Sequence, residues 1–219
     1  MSPARPDLAR EAVAWSEGRL LLGVDEVGRG PLAGPVVAAA VVFPASHAPI
    51  DGVRDSKTLS AARRERLAPA ILAAAAAVAV GAASVAEIDR LNIRVATALA
   101  MRRAVDRVLG GRRRGGGGIE ELMVLLDGLP MPELGHRHQS LVDGDALCYT
   151  VAAAGIVAKT VRDRLMGRLA GRYPGFGWES NMGYGTAGHL AALVTHGPTR
   201  HHRRSFSPVS QMPLWRETP

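Results

Sequence analysis

Residues 20–35 read LLLGVDEVGRGPLAGP, and the rest of the chain is organised around this stretch. The apolar run that begins at Leu20 is typical of a buried strand, and it ends in two adjacent acids, Asp25 and Glu26. Gly28-Arg29-Gly30 follows, where a guanidinium is flanked by residues that let the backbone approach a ligand closely. This combination indicates a site that handles metal ions and phosphate together, and the alternative is a tight turn with two solvated acids.

The composition indicates one globular domain with a polyanionic partner. The 219 residues include 27 Lys+Arg against 20 Asp+Glu, a net charge of +7, which favours nucleic acid. Coding bias towards arginine is the alternative. No apolar run approaches the ~20 residues of a membrane span, residues 1–19 lack a signal-peptide core, and the one cysteine, Cys148, excludes an internal disulfide. We therefore expect a cytoplasmic protein without membrane association.

Hydrophobic patterns and turn signals predict a mixed α/β domain. The predicted strands are Arg19–Val27, Pro35–Phe43, Ala77–Ser84, Glu121–Leu126 and His138–Val142. The predicted helices are Ala61–Ala75 with an interruption at Pro69, Ser84–Leu109 in two pieces capped by Ser84 and Asn92, Ala146–Tyr173 and Thr186–His196. The short Gly/Pro connection makes the first two strands antiparallel neighbours. Gly110–Gly118 is predicted to be a mobile loop.

Two of these strands end in an aspartate, Asp25 on the first and Asp127 on the fourth. If the two strands are parallel neighbours, their carboxylates meet at one edge of the sheet. Carboxylate oxygens suit Mg²⁺ and Mn²⁺, and two such ions ~3.5–4 Å apart can activate water and stabilise the leaving oxygen in phosphodiester cleavage. Glu26 and Asp163 could complete the cage.

Other residues compete for these roles. Asp143 and Asp145 are rival acids in a turn, and the residues alone do not rank them below Asp163, which could instead pair with a basic neighbour on its helix. His201 and His202 suggest a metal site, but next to two arginines they are predicted to form a basic surface.

The order of motifs along the chain resembles the ribonuclease HII family. The matching blocks are residues 23–37, 55–60, 91–93, 127–128, 158–166, 181–186 and 202–206. The resemblance implies a ribonuclease H-like fold, a five-stranded mixed sheet flanked by helices with a small helical C-terminal extension. It places the catalytic domain at 19–209, between a frayed N-terminus at 1–18 and a tail at 210–219.

The resemblance also implies a metal-dependent endoribonuclease. Such an enzyme hydrolyses the RNA strand of RNA–DNA hybrids and cuts 5′ of ribonucleotides embedded in duplex DNA, leaving 5′-phosphate and 3′-hydroxyl ends. Mn²⁺ or Mg²⁺ would be the cofactor, RNA–DNA hybrid and ribonucleotide-containing DNA the partners, and the chain is expected to be a monomer. Carried over by position, the catalytic and metal-binding acids are Asp25, Glu26, Asp127 and Asp163.

Six residues are expected to bind substrate. By resemblance, Gly28, Arg29 and Gly30 recognise the ribose 2′-OH, which distinguishes RNA from DNA, and Tyr184 stacks on the deoxyribose that follows. The only two lysines of the chain, Lys57 and Lys159, are predicted near the scissile phosphate or the acids.

Two alternatives stay open, and two positions depart from the family pattern. The alternatives are another ribonuclease H-like nuclease, such as ribonuclease HIII or a junction resolvase, and a non-catalytic nucleic-acid-binding domain.

Gly155 stands where family members commonly have serine. Met182 stands where a lysine or other polar residue is common, which puts one substrate contact in doubt.

Overall fold

The computed structural model describes residues 5–114 and 121–212. The strands are β1 Leu20–Val27, β2 Val36–Val42, β3 Ala77–Ala83, β4 Leu122–Asp127 and β5 Gln139–Leu141. The helices are α1 Ala9–Ser16, α2 Ala61–Ala74, α3 Val85–Leu91, α4 Ile93–Arg114, α5 Gly144–Leu147, α6 Tyr149–Arg172, α7 Trp178–Asn181 and α8 Ala187–His196. Single 3-10 turns cover Ser56–Thr58, Pro132–Leu134 and Val209–Gln211.

The strands form one mixed sheet in the order β3-β2-β1-β4-β5. β1 pairs antiparallel with β2, and β2 with β3, whereas the β1–β4 and β4–β5 pairs are parallel. The predicted α/β class and mixed five-stranded sheet are therefore confirmed, and the structure meets the condition that the first and fourth strands be parallel neighbours. No helix in the two described segments is long and apolar enough to cross a membrane.

Helices cover both faces of the sheet because β2 is apolar on both sides. Alternate residues of a strand point to opposite faces, so Ala38 and Ala40 pack in the cluster formed with α4. Ala39 and Val41 pack in a second cluster, with α2 and α6. Small side chains at these positions let the helices lie close to the sheet.

Within the segment 1–18 that was expected to be a frayed N-terminus, the described residues include helix α1, and residues 1–4 lie outside the described part. Ala14 of α1 is buried against β1. The carboxylate of Glu11, 1% exposed, accepts hydrogen bonds from the Thr150 N–H (2.8 Å) and the Cys148 thiol (3.3 Å). Glu11 thereby satisfies a free N–H at the start of α6.

Two helix boundaries differ from the sequence prediction. α4 continues to Arg114, where a loop was expected from Gly110; residues 115–118 of that loop lie outside the described residues. The helix expected over Ala146–Tyr173 is divided into α5 and α6 at Cys148, whose backbone is extended. Cys148 is extended because it forms a bridge with Asp7, an interaction between distant parts of the chain.

The last part of the chain forms the small helical extension. Trp178 of α7 and Leu193 of α8 are buried with Met166 of α6. The basic surface expected around His201 and His202 is wrong for His202, which is 1% exposed and lies 3.0 Å from His189, Nε2 to Nε2. The reason is that hydrogen-bonding partners inside the protein, including the Thr199 N–H, satisfy its ring nitrogens.

Candidate active site

The parallel pairing of β1 and β4 brings two acids together at the carboxyl ends of these strands. The register pairs Val24 with Leu126, so the next residues, Asp25 and Asp127, lie side by side at the sheet edge. Asp25 is buried, and its Oδ1 accepts a hydrogen bond from the Glu26 N–H at 2.7 Å.

A third acid reaches the same place from α5. Asp127 Oδ1 accepts a hydrogen bond from the Gly144 N–H at 2.7 Å, which fixes the start of α5 against the end of β4. One carboxylate oxygen each from Asp25, Asp127 and Asp145 then lie within 4.8 Å of one another. We call these three residues the acid cluster. Asp145, a rival acid in the sequence analysis, thus lies where a fourth carboxylate was expected.

Asp163 lies in an ion-pair network and not in the acid cluster. Its carboxylate accepts hydrogen bonds from Lys159 Nζ at 2.7 Å and from Arg64 Nη2 at 3.0 Å. All three side chains are at most 17% exposed. The structure therefore gives Asp163 two cationic partners of its own, which differs from the metal-ligand position that the family resemblance implied.

The acid cluster concentrates negative charge that the protein compensates only in part. Burial and the neighbouring carboxylates of Glu26, Asp127 and Asp145 raise the pKa of Asp25 well above its usual range. Burial and Asp145 also raise the pKa of Asp127, which the Gly144 N–H opposes. Lys57 Nζ donates to Asp145 Oδ2 at 3.0 Å, so one ammonium faces three carboxylates.

This donor set fits a hard divalent cation. Carboxylate oxygens are the ligands that Mg²⁺ and Mn²⁺ prefer, and a bound cation would relieve the repulsion that raises the pKa of Asp25 and Asp127. Asp25, Asp127 and Asp145 are the residues that would hold it.

Gly155 has a direct structural relation to the acid cluster. A Cβ atom at this position would lie 2.3 Å from Asp25 Oδ2, and the next nearest atom outside Asp25, Ser56 Oγ, is 3.7 Å away. The carboxylate of Asp25 therefore occupies space that a serine side chain would fill. In this chain, glycine in place of the serine common in the family leaves room for the Asp25 carboxylate.

The glycine-rich loop lies beside the acids in one cavity of about 230 Å³. Residues 25–30 line it together with Ser56, Lys57, Asp127, Lys159 and Tyr184. Arg29 Nη1 donates to Glu26 Oε1 at 3.2 Å, and burial raises the pKa of Glu26 while Arg29 opposes that rise. Both lysines predicted near the acids are in this cavity.

The substrate-binding residues implied by the resemblance are thus neighbours in space. Gly30 and Tyr184 are in contact, since a Cβ on Gly30 would lie 3.6 Å from Tyr184 Cε1. The Tyr184 side chain is 46% exposed, which leaves it free for a ligand. Met182 packs in the cluster of the C-terminal extension and does not line the cavity.

Asp145 belongs to the acid cluster, although the family resemblance selected Asp163 and not Asp145. Its signal is topological, because β5 runs parallel to β4 and pairs Leu141 with Asp127. An acid soon after Leu141 therefore lies at the same sheet edge as Asp25 and Asp127. Only the chain order of the sheet, and not the local sequence, distinguishes Asp145 from Asp163.

The fold defines a class, the proteins of the ribonuclease H fold. A ribonuclease H2 structure from Pyrococcus horikoshii OT3 superposes with a TM-score of 0.70 at 24% identity, covering 88% of this chain and 96% of that one. The structure of Bst-RNase HIII in complex with Mn²⁺ superposes with a TM-score of 0.69 at 22% identity, covering 92% and 72%. At this identity the likeness shows the fold.

Sequence comparison identifies the family. The family model described as Ribonuclease HII matches residues 22–209. Ribonuclease HII of Synechococcus sp. (strain JA-3-3Ab) is 51% identical over 211 residues, covering 95% of this chain and 91% of that protein. The Sphingopyxis alaskensis protein of the same name is 54% identical over 195 residues, covering 89% and 92%. This chain belongs to the ribonuclease HII family, and it is a metal-dependent endoribonuclease that acts on RNA–DNA hybrids.

Proposed function

We propose that this enzyme also cuts duplex DNA on the 5′ side of a single embedded ribonucleotide, using Mn²⁺ or Mg²⁺. The observation that carries this proposal is that Asp25 and Asp127 of the acid cluster line the same cavity as the Gly28–Gly30 loop. The groups proposed to cleave the phosphodiester then lie next to the groups proposed to recognise the adjacent sugar. The chain is proposed to act as a monomer.

Cation binding is assigned to Asp25, Asp127 and Asp145, with Glu26 beside them and Asp145 taking the place first given to Asp163. A divalent cation held by these carboxylates would supply activation of the attacking water and stabilisation of the leaving oxygen. The reaction is in-line hydrolysis that breaks the P–O3′ bond. The water oxygen joins phosphorus and a proton goes to O3′, so the upstream strand ends in 3′-hydroxyl and the ribonucleotide carries 5′-phosphate.

The two lysines are assigned to the phosphate. Lys57 and Lys159 line the cavity and donate to Asp145 and Asp163, respectively. A compact ammonium can approach one phosphate oxygen while it keeps a carboxylate contact, because it carries three donors on one atom. In this position they reduce the repulsion between the acids and the phosphodiester.

Sugar recognition is assigned to the Gly28–Gly30 loop and Tyr184. Recognition by backbone N–H groups does not depend on the base, because these groups contact the sugar and not the base edge. Tyr184 is half exposed next to Gly30, which suits stacking on the deoxyribose that follows the ribonucleotide.

The test is cleavage of an end-labelled DNA duplex that contains one ribonucleotide, with and without divalent metal. A matched all-DNA duplex and a full RNA–DNA hybrid serve as controls. We expect metal-dependent cleavage directly 5′ of the ribonucleotide and no cleavage of the all-DNA duplex. Cleavage of the hybrid with the single-ribonucleotide duplex left intact would contradict the proposal and favour an activity like that of ribonuclease HIII.

A further inference from the structure

The guanidinium of Arg203 is fully buried directly behind the Gly28–Gly30 loop. It donates to the carbonyl oxygens of Gly28 (2.5 Å), Arg29 (2.7 Å) and Gly34 (2.9 and 3.0 Å). Within residues 5–114 and 121–212 it forms no ion pair with a carboxylate. A buried charge satisfied only by carbonyls is costly, and burial together with nearby Arg162 lowers the pKa of Arg203 to about 9.

These carbonyl contacts fix the direction of the loop's N–H groups. In a planar trans peptide the carbonyl of one residue and the N–H of the next point in opposite directions. Because the Gly28 and Arg29 carbonyls point at Arg203, the N–H groups of Arg29 and Gly30 point away from it. In the described part of the chain neither N–H has an acceptor, and both residues line the cavity.

Arg162 braces the same loop from α6. It is also fully buried, and it donates to the carbonyls of Ala33 (3.1 Å), Pro35 (3.0 Å) and Met182 (3.0 Å). Gly28 has a φ of +93°, and a Cβ there would lie 2.1 Å from Arg162 Nε. The loop is therefore held on its buried side, and the N–H groups of Arg29 and Gly30 are available to an acceptor oxygen on the cavity side.

We propose that Arg203 is a positioning residue for sugar selectivity: by engaging the loop carbonyls, it presents the Arg29 and Gly30 N–H groups to the 2′-oxygen of a ribonucleotide. This proposal rests on the function proposed above. Arg203 contacts no substrate itself. It acts through the loop, so its loss affects the discrimination between ribose and deoxyribose more than general affinity for the duplex.

The test compares Arg203→Lys with Arg204→Lys in an Asp127→Asn background, which keeps the substrate intact. Arg204 is the matched control because it is adjacent and exposed. The readout is the Kd for a duplex with one ribonucleotide against the Kd for the same all-DNA duplex. A lysine keeps the charge but cannot reach three carbonyls in the same geometry. We expect Arg203→Lys to raise the Kd for the ribonucleotide duplex by about tenfold with the all-DNA Kd unchanged, so that most of the discrimination is lost, and we expect Arg204→Lys to keep the ratio of the two Kd values.

An unchanged ratio, or equal weakening for both duplexes, in folded Arg203→Lys overturns the proposal. If the background protein itself does not distinguish the two duplexes, the proposed function fails instead. Should Arg203→Lys not fold, amide hydrogen exchange of the otherwise unaltered Asp127→Asn chain decides. Protection of the Arg29 and Gly30 N–H groups by the ribonucleotide duplex and not by the all-DNA duplex supports the proposal, and equal protection by both overturns it.

Discussion

The two sides of the cavity differ in charge: one carries the carboxylates of the acid cluster, and the other is the Gly28–Gly30 loop with a buried guanidinium behind it. On one side the acid cluster holds three carboxylates within 4.8 Å with a single ammonium, Lys57, in contact. On the other side the Gly28–Gly30 loop has its carbonyls engaged by the buried guanidinium of Arg203. The carboxylates of the acid side need a cation to balance their charge, whereas the protein itself holds the N–H donors of the loop side in place. Preformed donors reduce the cost of ordering on binding.

The largest expected effect comes from breaking the acid side. Replacing Asp127 or Asp25 with asparagine removes a charge that the cation requires, and we expect single-turnover cleavage of a hybrid to fall by roughly a thousandfold at fixed Mn²⁺. Hybrid binding is expected to survive, because the loop side is untouched. Full activity in either variant would contradict the assignment.

A smaller effect is expected from Lys57 and Lys159, the two lysines proposed to contact the phosphate. Lys57→Arg and Lys159→Arg keep the charge but replace a compact donor by a planar fork that does not fit the contacts to Asp145 and Asp163. We expect the cleavage rate to fall roughly tenfold to a hundredfold. Arg168→Lys, on an exposed position of α6, is the control. Wild-type rates in both lysine variants would show that their placement is irrelevant to catalysis.

The loop side rests on a histidine pair that makes it sensitive to acid. The His189 ring contacts the carbonyl of Tyr184 at 2.8 Å and the ring of His202 at 3.0 Å. Burial and His189 lower the pKa of His202 to about 3. Below its ordinary value of about 6.5, the unfolded chain binds a proton that the native chain does not, so stability falls as the pH drops towards 3.

This difference in the pKa of His202 amounts to about 2 kcal/mol of unfolding free energy between pH 7 and pH 5. Urea denaturation at the two pH values measures it. His202→Gln is expected to flatten the dependence, and His196→Gln, at an exposed position, is expected to preserve it. An equal slope in wild type and His202→Gln would show that this imidazole is not what makes the protein acid-sensitive.

On the acid side, the pH dependence of stability is expected to have the opposite sign. The pKa of Asp127 is raised in the native state, so between the ordinary and the raised value the native chain holds a proton that the unfolded chain has lost. Stability from this group is therefore present at low pH and is lost as the pH rises. Metal-free Asp127→Asn is expected to unfold at a slightly higher temperature than metal-free wild type at neutral pH, and a lower melting temperature would contradict this.

Local patterns were enough to predict the strands and the meeting of two acids. Apolar runs with clear turn signals defined β1 and β2, and strand order then brought Asp25 and Asp127 to one edge. Capping was equally local, since Ser84 and Glu87 form the predicted capping box at the start of α3.

The missed features depend on distant contacts. Asp145 joins the acids because β5 pairs with β4 and the Gly144 N–H at the start of α5 bonds to Asp127, contacts between separate elements that the residues around Asp145 do not signal. His202 and Arg203 were predicted on the surface because charged residues are ordinarily exposed. Arg203 is buried because the carbonyls of a loop near the start of the chain satisfy its donors.

The most direct test of the acid cluster as the cation site is Mn²⁺ binding by calorimetry to the full chain and to two isosteric variants. Asp145→Asn is expected to weaken binding at least about tenfold, because it removes one of three converging carboxylates. Asp163→Asn is expected to leave binding nearly unchanged, because that carboxylate is engaged by Arg64 and Lys159. Loss of Mn²⁺ binding in Asp163→Asn with retention in Asp145→Asn would contradict the account.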